Sequence, residues 1–132
     1  MKQRLMKEKE ERKETELLVF VKAKALTKYI MSACAKAPVK FRYSLLNPLL
    51  NECLDLIHFL YEANELPVKD PERAKLVRKA ISRLKSIDFI SSFAAESICF
   101  TAKQGEVISR YAGDCFKYLL GYYSLSKDAL AI

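Results

Sequence analysis

Asp70–Phe89 reads DPERAKLVRKAISRLKSIDF, and this stretch decides the fold. It opens with an acid at the N-cap, a Pro at the first helical position and an acid in the first turn, three features that start a helix. With Lys75 at zero and about 100° per residue, Leu76, Val77, Ala80, Ile81, Leu84 and Ile87 fall between about 100° and 240°. Lys79, Arg83, Arg78 and Lys85 fall between about 280° and 80°. An apolar stripe opposite a basic arc marks a helix that buries one face. This helix is expected to run to about Phe100. Phe89, Phe93 and Phe100 then fall at about 320°, 0° and 340°, on the basic side rather than on the stripe. Unless the N-terminal extension or the C-terminal tail covers them, they form an exposed apolar patch, expected to be a subunit interface.

Outward from this helix, the boundaries on both sides are chemical. Asn64 and Pro67 end a second helix running from about Tyr43 to Glu65, with Pro48 in or just after its first turn, where a missing N–H matters least. Pro38 ends a first helix at about Ala37. Residues 2–16 read as a helical extension, frayed or disordered at its start. Thr101-Ala102-Lys103-Gln104 is a capping-box pattern that opens a fourth helix, expected to reach about Tyr123. No segment has strand period and no internal repeat is present. Short connections make consecutive helices antiparallel neighbours, so the expected fold is all-α, an up-down-up-down antiparallel four-helix bundle. The expected organisation is a charged extension at 1–16, the bundle at 17–127 and a tail at 128–132.

Composition agrees. The 132 residues are 51% apolar and 30% charged, which suits one folded domain. A single His and 3 Gly weigh against most enzyme classes, which need convergent titratable groups or a Gly-rich phosphate loop. No apolar run approaches the ~20 residues that span a bilayer, so no membrane partner is expected. The first sixteen residues are charged throughout and do not resemble a signal peptide, so the expected compartment is the cytosol. Cys34, Cys53, Cys99 and Cys115 form no C-x-x-C pair. Neither a zinc site nor any cofactor is expected; the thiols are read as free and buried, one on each helix.

Charge is segregated. Residues 1–16 carry a net +1, 17–43 a net +6 with no acid at all, 44–66 a net −4 with no Lys or Arg, 67–91 a net +4 and 92–132 a net 0, for the chain's +7. With Lys24 at zero, Lys28, Lys36 and Lys22 fall at about 40°, 120° and 160°, while Val19, Ala23, Leu26, Ile30, Ala33 and Ala37 fall at about 180–260°. A surface built only for solubility intersperses both signs; residues 17–43 do not. Clustered Lys and Arg bind phosphate backbones by counterion release. The candidate nucleic-acid-binding residues are therefore Lys22, Lys24, Lys28, Lys36, Lys40 and Arg42 from the first basic segment. Lys75, Arg78, Lys79, Arg83 and Lys85 come from the second.

Other constellations are weaker. His58 shares a face with Asp55 and Glu62, as a metal site, a general base or a solvated surface would. Helical ribonucleases with an Arg four to six residues before the His offer no match, since the nearest upstream Arg is Arg42. Gly105, Gly113 and Gly121 recur at eight-residue spacing, each costing about 1 kcal/mol against Ala unless close backbone packing offsets it. Tyr111, Tyr118, Tyr122 and Tyr123 read as base-stacking candidates or as core and interface residues.

Three motifs carry a family resemblance over roughly residues 17–127. Pro38-Val39-Lys40-Phe41-Arg42-Tyr43-Ser44-Leu45 resembles the P-x-x-x-R-[FY]-[ST]-L signature between helices 1 and 2 of small bacterial four-helix bundle proteins. Glu62-Ala63-Asn64 and Tyr118-Leu119-Leu120-Gly121-Tyr122-Tyr123-Ser124 resemble the E-A-N and the apolar-G-W-x-x-S close of one branch. That branch is the accessory variability determinant proteins of diversity-generating retroelements; its sister branch is the 23S rRNA intervening-sequence proteins. Tyr122 stands where the branch has Trp, and residues 1–16 lie outside the pattern. The resemblance implies a homopentameric barrel with a positively charged surface and no catalytic residues. It also implies association with a reverse transcriptase, its template RNA and an RNA–cDNA hybrid in mutagenic retrohoming. The alternative expectation is a structural or interaction bundle of the intervening-sequence type with no reverse-transcriptase partner.

Overall fold

The computed structural model describes the backbone of residues 2–130 and the side chains of residue 3 and residues 13–130. Met1 and the end of the tail, Ala131 and Ile132, lie outside what is described. Four α-helices occur among the described residues: α1 (Lys2–Lys36), α2 (Asn47–Glu65), α3 (Pro71–Glu96) and α4 (Ala102–Leu130). A 3₁₀ turn at Val39–Phe41 and a wider π-type turn at Arg42–Leu46 join α1 to α2. No strand occurs among the described residues. Each of α1 and α3 packs against both α2 and α4, which leaves α1 diagonal to α3. This is the four-helix arrangement that short connections between amphipathic helices produce.

The boundaries follow local chemistry where the sequence supplies it. The Asp70 carboxylate accepts from the Glu72 N–H at 2.9 Å, and Pro71 occupies the first helical position of α3. At α4 the Thr101 N–H donates to Gln104 Oε1 at 2.9 Å and the Gln104 N–H to Thr101 Oγ1 at 3.0 Å, a closed capping box. Pro48 lies in the first turn of α2. Two ends differ from expectation. α4 runs on past Tyr123 to Leu130, with Ser126 and Ala129 still buried. α3 stops at Glu96 rather than near Phe100.

The early stop of α3 has a clear geometry. Ile98 adopts φ 64°, the left-handed region. The Cys99 N–H bonds back to the Ala94 carbonyl at 2.9 Å and the Ile98 N–H to the Ala95 carbonyl at 3.2 Å. This is a Schellman closure with Ile where Gly usually sits. The turn rotates the following residues off the helical phase and drives Cys99 and Phe100 inward. Phe100 is 2% exposed and belongs to the core, so it is not part of an exposed interface. The same turn removes Cys99 from any helix, correcting the expected placement of one thiol on each.

The core contains the predicted stripes of α1 and α3, with Ala37 only half-buried at its edge. Val19, Ala23, Leu26, Ile30 and Ala33 of α1 are buried, as are Leu76, Val77, Ala80, Ile81, Leu84 and Ile87 of α3. Leu49, Cys53, Leu56 and Leu60 of α2 meet them, with Ile108, Cys115 and Leu119 of α4. Burying such a Leu or Ile stabilises by about 1.5–3 kcal/mol. All four cysteines are free. No described helix is long and apolar enough to cross a membrane.

Candidate nucleic-acid interface

The basic side chains separate into paired and unpaired sets. Lys22 Nζ lies 3.1 Å from Asp114 of α4, and that carboxylate raises the ammonium's pKa. Lys75 bridges to Glu72 at 3.2 Å along its own helix. Arg83 reaches across to α2, 3.5 Å from Glu52 and 3.8 Å from Asp55. The other eight candidates, Lys24, Lys28, Lys36, Lys40, Arg42, Arg78, Lys79 and Lys85, are exposed and have no ion-pair partner among the described residues. Several lie over aromatic rings instead: Lys24 over Phe20, Lys40 over Phe41, Lys79 over Phe59 and Lys85 over Phe116, at 5.1–5.9 Å from ring centroids. The stems cover apolar surface while the charges stay in water, where phosphates can meet them.

Because α1 and α3 are diagonal, the two arcs occupy opposite corners of the bundle and do not merge into one surface. Lys36, Lys40 and Arg42 lie at the end where α1 turns into α2. On α3 the basic half gives way to aromatics: Phe89 is 72% exposed and Phe93 49%. Leu17, Val21 and Met31 are likewise exposed on α1, and Leu54 and Tyr61 on α2.

A buried polar cluster at the opposite end had not been expected. Arg73 is 3% exposed. Its guanidinium pairs with Glu16 of α1 and donates to Tyr122 Oη of α4 at 3.1 and 3.3 Å. Tyr122 Oη in turn donates to Asn64 Oδ1 at the end of α2. Burial pushes the Tyr122 hydroxyl up, partly countered by Arg73. One residue from each helix thus meets at a single charge, which must be paired to be tolerated there. The cluster is a clasp on the four helices; beside it lie a space of about 10 Å³, room for one water at most, and a more open one of about 300 Å³ lined by Lys13, Glu16, Asn64, Pro67 and Arg73. The sequence did contain the signal: with Lys75 at zero, Arg73 falls at about 160°, inside the apolar stripe. α1 passes unbroken through the expected boundary at 16/17, and Glu16 lies in this clasp.

The remaining constellations resolve simply. His58 Nε2 is 2.8 Å from Glu62 on an exposed face, while Asp55 turns towards Arg83. No group of three His, Cys, Asp or Glu among the described residues could hold a metal ion. Of the α4 tyrosines, Tyr122 is buried and Tyr118 and Tyr123 pack against the core. Tyr111 is half-exposed and meets Tyr29 with ring centroids 5.6 Å apart and planes tilted by 40°. No family model, curated protein or solved structure matches the chain.

Proposed function

We propose that the chain is a non-catalytic, nucleic-acid-binding accessory protein of the cytoplasm. It assembles as a homopentamer, holds RNA or an RNA–cDNA hybrid through phosphates and docks a retroelement reverse transcriptase in mutagenic retrohoming. The observation that carries the nucleic-acid part is the set of eight exposed Lys and Arg side chains without an ion-pair partner among the described residues. Solvated, unpaired cations are the groups that release counterions from a phosphate backbone. The retroelement part rests on the motifs at 38–45, 62–64 and 118–124. Asn64 and Tyr122, one from each of the two later motifs, hydrogen-bond to each other, which supports reading those motifs as one packing unit. Exposed Phe89 and Phe93 support assembly, and repeated copies would turn two separate basic corners into a continuous rim. Five copies at +7 each carry +35.

The same exposed Phe pair also favours a second reading, an interaction bundle without a reverse-transcriptase partner. Co-purification with a candidate reverse transcriptase separates the two. The nucleic-acid reading is tested by measuring affinity for labelled RNA against salt. Binding should weaken steeply, by about 10³-fold or more between low and moderate salt for six or more phosphate contacts. Weak binding that hardly responds to salt overturns it.

A further inference from the structure

We infer that Tyr43 is a base-stacking residue that gives this end of the bundle a preference for single-stranded over duplex nucleic acid; the inference rests on the nucleic-acid reading above. Residues 40–43 alternate basic and aromatic side chains, Lys40-Phe41-Arg42-Tyr43. The two aromatics have opposite fates. Phe41 packs against the core, with Lys40 Nζ 5.1 Å from its ring centroid, and anchors the turn. Tyr43 projects and is 81% exposed. It lies on the π-type turn Arg42–Leu46, and such turns are frequent at functional sites.

Charge selects the ligand. Lys36, Lys40 and Arg42 are exposed and unpaired among the described residues, and residues 17–43 contain no acid. α3 and α4 bring Lys103, Glu96 and Glu106 to the same end, so the added net charge there is small. Tyr61, the other strongly exposed tyrosine, lies on α2 beside Glu62 and Glu65, where phosphates are repelled. Tyr43 is the most exposed tyrosine of the described residues, ahead of Tyr61 and Tyr111, and Lys40 and Arg42 precede it closely in the chain. An exposed ring with cations close by in the chain can stack on an unpaired base while they hold the flanking phosphates. A duplex hides its base faces, so it can use the cations but not the ring.

The test uses the full chain with fluorescently labelled oligoadenylate, oligouridylate and a duplex of matched length, read by anisotropy. Tyr43→Ala and Tyr43→Leu should bind oligoadenylate about ten-fold more weakly, a stacking contact's worth. Tyr43→Phe should bind like the parent, and all three should bind duplex unchanged. Tyr61→Ala serves as the control. Because Tyr43 is exposed, the variants should keep the parent's circular dichroism and melting, and Leu preserves bulk should Ala fail to fold. Unchanged oligoadenylate affinity in Tyr43→Leu overturns the inference and leaves the nucleic-acid reading standing. Equal losses on duplex and single strand also overturn it. A parent chain that binds no nucleic acid at low salt overturns both. Tyr43-dependent sedimentation with phosphatidylserine vesicles, without Tyr43-dependent oligoadenylate binding, reassigns the surface to lipid and overturns it as well.

Discussion

Ile98 combines two costs. A β-branched residue at φ 64° strains the backbone by about 1–2 kcal/mol, and its side chain is left 84% exposed. Ile98→Gly relieves the strain without touching a core contact, although Gly also loses more entropy on folding. Urea unfolding should show a net gain of about 1 kcal/mol; a loss would mean that the Ile98 side chain contributes packing. The strain has a structural return, since the same turn seats Cys99 and Phe100 in the core. The turn was not legible in the sequence, because no Gly or Asn marks it and the helical phase of α3 continues smoothly on paper. Arg73 is legible in the sequence: a cation at core phase demands a buried partner, and Glu16 with Tyr122 supplies it.

At the scale of elements, the three glycines of α4 are not equivalent despite their even spacing. A Cβ at Gly105 would lie 2.8 Å from the Ala95 Cβ, so α3 and α4 approach too closely there for any side chain. At Gly113 and Gly121 a Cβ would meet nothing within 4 Å. Gly113→Ala and Gly121→Ala should each stabilise by about 0.5–1 kcal/mol through helix propensity. Gly105→Ala should destabilise, because neither methyl can rotate away. Thermal unfolding of the three variants checks the order. Helix starts were readable where side chains cap, at Asp70 and Thr101. The ends of α3 and α4 were not, because the determinants there are backbone geometry and continued burial.

For the whole molecule, burial of the thiols predicts alkaline sensitivity. Desolvation pushes Cys34 up to about 11 and Cys53 and Cys115 to about 12, from an ordinary 9.0. The unfolded chain releases these protons from about pH 9, while the folded chain holds them to about pH 11–12. The thiol contribution is therefore complete below about pH 8 and is lost as pH rises from about 9 towards 12. The melting temperature should be flat from neutrality to about pH 8 and then fall. Cys53→Ala combined with Cys115→Ala should flatten that fall. Assembly has its own test at this scale: Phe93→Glu places a charge in the exposed aromatic patch. Light scattering should show it lowering the mass of the proposed homo-oligomer; an unchanged mass counts against the Phe89–Phe93 face as an interface.

The sequence by itself determined the helical class, the apolar stripes of α1 and α3, the capped starts of α3 and α4 and the existence of two basic segments. All of these follow from periodicity and from side chains bonding to nearby backbone, so neighbours in sequence suffice. Only the tertiary structure decided which cations find partners on other helices. Lys22 and Arg83 look like Lys24 and Lys79 in sequence, but adjacent helices bring Asp114, Glu52 and Asp55 to the first two. It also decided that Phe100 lies inside, that Tyr118, Tyr122 and Tyr123 of α4 are occupied with packing and that Tyr43 is not. Pairing and exposure depend on which helices become neighbours, and that is set by the packing of the whole bundle.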